Sequence, residues 1–196
     1  RWGTPTLLTL ELALLVELPS PVRVVVLGRL QVLLPNQTHP LVQIRMDALG
    51  VLDVSAETVA LDATLYDSRI LQFTLTGDMA LRAGWGRQPQ FVLAIGGFHP
   101  RFAPPPGLPA LQRLALQLAD GDSLQLRCQA YLAVTSNTVQ FGARVDLHAA
   151  GGGFSFDGML GFDAILQLAP LAFEVDVGAA LALRYHGRLL MGISFK

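Results

Sequence analysis

Charge is scarce in this sequence, and what there is nearly cancels: Lys and Arg total 14, Asp and Glu 15, for a net charge of -1. Lysine occurs only at Lys196. Without a basic excess the chain has no electrostatic footprint for DNA or RNA, so nucleic acid is not expected as a partner. A single cysteine, Cys128, excludes an internal disulfide. Trp and Tyr are few: Trp2 and Trp85, with Tyr66, Tyr131 and Tyr185. No uninterrupted apolar run reaches the ~18 residues of a transmembrane helix. The basic start and apolar core of a signal peptide are missing too. Disorder is excluded from the other side, because 52% of the residues are hydrophobic and mean hydropathy is +0.45.

What the sequence has in abundance is alternation. Over residues 22–34, Val22, Val24, Val26, Gly28, Leu30, Val32 and Leu34 share one parity, wholly apolar, and Arg23, Val25, Leu27, Arg29, Gln31 and Leu33 fall on the other, which is mixed. Side chains of a strand point alternately to its two faces, so period two separates oil from water here, whereas a period of 3.6 would mix them. The pattern returns along the chain. Its apolar parity is marked by Val24, Val26, Leu30, Ile44, Phe73, Leu75, Leu126, Phe141, Phe156, Phe162, Phe173 and Val175. The runs are separated by Pro19–Pro21, Pro35–Pro40, Ser55–Thr58, Asp67–Arg69, Gly84–Gln90, Asp120–Asp122, Thr135–Thr138, Gly151–Gly153 and His186–Arg188. Links this short join antiparallel neighbours. The expectation is an all-β antiparallel up-and-down meander of about twelve long strands, forming a curved sheet, a barrel or a sandwich. Residues 1–196 read as one β-rich unit and as a piece of a longer protein.

One segment departs from the rhythm. Between His99 and Pro109 lie Pro100, Pro104, Pro105, Pro106 and Pro109, the composition of a stiff extended loop. After it, Leu114, Leu116 and Leu118 suit a strand.

Motifs with chemistry in them are missing. The histidines are His39, His99, His148 and His186; three are in turns or loops, His148 is on a polar parity, and none has zinc-ligand spacing. Solvated imidazoles are expected. Asp120-Gly121-Asp122 lacks the remaining ligands of a calcium loop, and Gly151-Gly152-Gly153 precedes a strand rather than a helix, so both read as turns. Carboxylates such as Asp157, Asp163, Glu174 and Asp176 share their face with arginines, which suits an ion-pair lattice. No metal or cofactor is expected. The one speculative site is the base of the proline loop, where Phe98, His99, Arg101 and Phe102 stand close together in sequence; an enzyme using His99 and Arg101 is the reading it would support.

An apolar face this wide, on the order of 2,000 Å², has to be covered. The sheet can close on itself, pack on the rest of a longer parent chain, or hold lipid acyl chains. An outer-membrane β-barrel is the alternative, although the few Trp and Tyr do not make its aromatic girdles. Compartment is not readable from this chain.

Several strings carry a resemblance. Leu75-Thr76-Gly77-Asp78-Met79-Ala80-Leu81-Arg82, Gly97-Phe98-His99-Pro100-Arg101-Phe102, Leu132-Ala133-Val134-Thr135-Ser136-Asn137-Thr138, and the stretch from Gly158-Met159-Leu160-Gly161-Phe162-Asp163-Ala164 to Leu190-Met191-Gly192-Ile193 resemble an uncharacterised family of large bacterial proteins, a domain of unknown function. The resemblance implies a β-rich segment of a longer protein and transfers no catalytic residue.

Overall fold

The computed structural model of the chain describes residues 2–3, 6–87 and 89–195. It is one antiparallel sheet of fourteen strands. They are β1 (Leu8–Glu17), β2 (Arg23–Leu34), β3 (Val42–Asp53), β4 (Thr58–Leu65), β5 (Ser68–Ile70), β6 (Phe73–Thr76), β7 (Asp78–Gly84), β8 (Gln90–Ile95), β9 (Leu114–Asp120), β10 (Leu124–Thr135), β11 (Thr138–Gly151), β12 (Phe154–Gln167), β13 (Ala172–Tyr185) and β14 (Arg188–Phe195).

Three pairs of these are single strands interrupted part-way. β3 pairs with β4 along one half and β5 along the other. β6 and β7 continue the next position, pairing with β5 and β4. β8 and β9 make the one after, and both pair with β10. Fourteen segments with three such joins occupy eleven positions, in plain sequence order from β1 to β14. The breaks split each pairing between β3 and β10 in two, so the hydrogen-bonded neighbours trace a ring around the interruptions within the sheet. Among the described residues no pairing joins β1 to β14, and these are its edges.

The breaks have local causes. Asp67 has φ of 42°, and Ser68 sends its hydroxyl back to the carbonyl oxygens of Arg45 and Tyr66, so Tyr66–Asp67 bulges while the strand carries on as β5. The turn expected at Asp67–Arg69 is therefore this bulge; the reversal comes at Leu71, with φ of 57°. Gly77, at φ of 150°, separates β6 from β7; a side chain there would meet the Leu114 Cα at 2.9 Å. A further turn occupies Leu168–Leu171, so β13 starts at Ala172 and Leu171 is not part of it. The segment after the prolines forms β9, as its leucine alternation predicts.

Register fixes the two faces. Following cross-strand partners, one row reads Leu12, Gly28, Ala48, Ala63, Met79, Ile95, Leu132, Phe141, Ala164 and Val175. The opposite face carries the charges. Arg23 reaches Asp53 at 2.8 Å, Arg29 grips Asp47 with two hydrogen bonds, and Arg82 holds Asp62 likewise.

These pairs tie stability to pH. The hydrogen bonds from Arg23 and Arg29 hold the Asp53 and Asp47 carboxyls below their ordinary range, and His148, then Arg184, does the same for Asp157. A depressed folded-state value gives stability that is present above the unfolded carboxylate range, near pH 4, and is lost as pH falls through the folded value. The urea midpoint should be level from pH 7 to 5 and decline below about 4. Asp53→Asn should lower it at pH 7 and shallow the decline; an unchanged acid limb would contradict this.

Candidate functional site

The chain leaves the sheet between β8 and β9, and glycine makes the exit possible. Gly96 and Gly97 have φ of 69° and 91°, the left-handed region that L side chains avoid. The prolines keep residues 96–113 out of the ladder, and the segment lies on the polar face. Under it, Ala80, Ala94, Ala133 and Gln140 form one cross-strand row and are all fully buried. Three methyl side chains in register leave the depth that the loop fills.

Polar contacts fasten it. The His99 N–H donates to the Gln140 Oε1 at 2.9 Å, and the Gln140 Nε2 donates to the Thr138 Oγ1 at 2.8 Å. Arg113 donates to the carbonyl oxygens of Gly96 at 3.0 Å and Phe98 at 2.8 Å, closing the base of the loop. Its guanidinium also lies 3.9 Å from the centroid of the Tyr131 ring. Arg101 pairs with Glu174 and Asp176 on β13, and the Phe98 and Phe102 rings stack with centroids 5.4 Å apart.

His99 is buried, with 2% of its surface exposed, which corrects the expectation of a solvated imidazole. The loop closes over it because its backbone N–H has found a buried acceptor. Its Nδ1 accepts the Arg101 N–H at 3.2 Å, and its Nε2 has no hydrogen-bond partner, with the Asp176 Oδ2 at 3.9 Å. Phe98, His99, Arg101 and Phe102 are thus brought together as a fastening: the imidazole is closed to solvent and the guanidinium is engaged by two carboxylates. His148 is on the polar face as expected, its Nδ1 2.6 Å from the Asp157 Oδ1.

Replacing Gln140 tests the fastening. Gln140→Leu strands the buried His99 N–H, at a cost of about 1–3 kcal/mol. The expected result is tryptic cleavage after Arg101 at least about tenfold faster, ~1.4 kcal/mol of easier local opening. An unchanged rate would show that the amide does not hold the loop.

The other candidate is the uncharged face. Val24, Val26, Leu30, Ile44, Phe73, Leu75, Leu126, Phe141, Phe156, Phe162, Phe173 and Val175 all project to it, connected through cross-strand pairing that shifts register once, between Leu126 and Arg127 where β9 meets β10. Arg188, opposite Tyr185 at the last hairpin, is the one charged residue in register with it among the described residues. Among the described residues it is open over β11–β14, where Phe162 is 39% exposed and Leu160 59%, and Phe141, Phe173, Val175 and Ile193 are exposed as well, while Val24, Val26, Leu30, Ile44, Phe73, Leu75, Leu126 and Phe156 are half-buried.

The model of a family described as a family of unknown function, DUF6603, matches residues 1–196. The chain belongs to that family. No curated protein and no solved structure matches it. The resemblance visible in the sequence therefore extends over the whole DUF6603 chain, and the family's description assigns it no activity. No helix among the described residues is long and apolar enough to cross a membrane, which says nothing of crossing by strands.

Sequence reasoning missed Gln140 and Arg113, two further residues that hold the loop in this DUF6603 sheet. Gln140 is one of several polar residues on its parity, and only the register that puts it beside Ala133 distinguishes it. Arg113 borders Leu114, where the strand resumes, and that adjacency was the available signal.

Proposed function

We propose that this chain is a non-enzymatic structural β-sheet module of a longer protein, with its uncharged face packed against the rest of that parent chain. The observation that carries this reading is a face running across eleven strand positions with no charge until Arg188 at its last hairpin, left open by a loop that closes only the opposite side. An area on the order of 2,000 Å² is several times what soluble monomers expose, and it matches the scale of permanent interfaces. The relief of the face supports a protein cover. Gly158 lies between Leu147 and Leu181, and Ala164 between Phe141 and Val175, so large and small residues alternate as interdigitating side chains require.

Cys128 is a built-in reporter. It is the free thiol on this face, partly exposed, between Leu116 and Val145 on the neighbouring strands. In the dilute isolated chain it should react readily with a maleimide, and in the parent protein at least about tenfold more slowly, the effect of ~1.4 kcal/mol of protection. Equal rates would refute packing on the parent. Protection gained only when phosphatidylcholine vesicles are added would replace the protein cover with acyl chains.

A further inference from the structure

The two edges of the sheet are not alike. β1 pairs with β2 over ten residues without a register shift, and it contains neither proline nor lysine. Sheets guard an edge strand with a bulge, a proline or a lysine, because an unpaired row of N–H and C=O groups is a template for another strand. β14 has a register shift against β13; β1 has none of these devices.

The template is already in use at one end of β1. The Trp2 N–H donates to the Leu8 carbonyl oxygen at 2.9 Å, and the Leu8 N–H donates to the Trp2 carbonyl oxygen at 3.2 Å, an antiparallel bridge. Gly3, with φ of 101°, starts the reversal between them. This bridge lies on the side away from β2, since the Leu7 carbonyl oxygen, one residue earlier, accepts the Leu33 N–H at 2.9 Å. Backbone groups of successive residues point to opposite edges, so Leu10, Leu12, Leu14 and Val16 present theirs on the same side as Leu8. Among the described residues nothing pairs with those four there. Their side chains are exposed on the uncharged face. On the charged face, two cross-strand rows alternate in sign and end on an acid at this edge: Asp47, Arg29, Glu11 and Asp53, Arg23, Glu17. Both arginines give their hydrogen bonds to the inner aspartates.

We propose that β1 is covered by a further antiparallel strand, the stretch of the parent chain that leads into Trp2, apolar on one parity and basic opposite Glu11 and Glu17. The inference rests on the reading of this chain as a module of a longer protein, but not on what packs against its uncharged face. The Trp2–Leu8 bridge sets the register. The second, fourth, sixth and eighth residues before Trp2 stand opposite Leu10, Leu12, Leu14 and Val16 and are apolar. The third and ninth stand opposite Glu11 and Glu17 and are Arg or Lys, which carries both charge rows one strand further.

The test is residue-resolved hydrogen exchange on the isolated chain and on the intact parent protein. In the isolated chain the amides of Leu10, Leu12 and Leu14 should exchange fast, and those of Glu11, Ala13 and Leu15, which face β2, slowly. In the parent, Leu10, Leu12 and Leu14 should slow at least about tenfold, so that the alternation disappears. Proline in place of the second and fourth residues before Trp2 removes two donors to β1 and should restore fast exchange at Leu10 and Leu12. Fast exchange at Leu10, Leu12 and Leu14 in the parent, or slow exchange that both prolines leave intact, would overturn the proposal. Maleimide labelling of Cys128 separates this failure from that of the face packing. A reactive Cys128 with slowed amides would refute the packing alone, and a protected Cys128 with fast amides would refute the added strand alone.

Discussion

Gly96→Val should come close to unfolding the protein. A Cβ at this position would sit 2.5 Å from the Ala130 carbonyl oxygen and 2.7 Å from the Leu114 nitrogen. Both are backbone atoms of strands that pair with each other, so neither can withdraw without opening the β9–β10 ladder. The φ of 69° adds a conformational cost, heaviest for a β-branched residue. Overlap and strain together come to about 4 kcal/mol or more, a large part of a domain's stability. Gly107 supplies the control. Its φ of 83° is just as unusual, but nothing lies within 4 Å of a Cβ. Gly107→Ala should therefore cost only the backbone term, about 1–2 kcal/mol. Urea unfolding of both variants checks the contrast; equal losses would mean that the exit from β8 is not the close approach described.

The second large effect depends on context. In the isolated chain Phe162 is half-open to water, so Phe162→Asp should change stability by less than about 1 kcal/mol and reduce self-association and hydrophobic-dye binding. In the parent protein the same carboxylate would be buried without a partner, at a cost of several kcal/mol. Unfolding midpoints of the isolated chain and of the parent, each with and without the substitution, measure the difference. Equal tolerance in both would contradict the proposed packing, and severe loss in the isolated chain would contradict the open face.

The two-sided sheet was legible because parity is a local property. Once Val24, Val26 and Leu30 are assigned to one face, period two carries the assignment through each strand, and short turns keep neighbours adjacent. What stayed hidden needs knowledge of partners. Asp67-Ser68-Arg69 has the composition of a turn, yet Ser68 hydrogen-bonds back to Arg45, distant in sequence, and the strand continues. The proline loop was visible as a loop, but not as an excursion between two halves of one strand, since Leu114 resumes beside Ala130 only through pairing with β10. His99 looked solvated for the same reason: its acceptor, Gln140, belongs to a strand forty-one residues on. The pairing of Asp163 with Asp176 likewise comes from the register of β12 on β13 and has no counterpart in either segment alone.

Hydroxyl-radical footprinting of the dilute, monomeric chain addresses the central claim most directly, because it reads side-chain access on both faces at once. Phe141, Phe162, Phe173 and Ile193 should oxidise readily, and Tyr131, beneath the loop, should resist. Protection of those four with no partner present, or oxidation of Tyr131 as fast as theirs, would mean that the protein does not present one bare uncharged face and one loop-covered face.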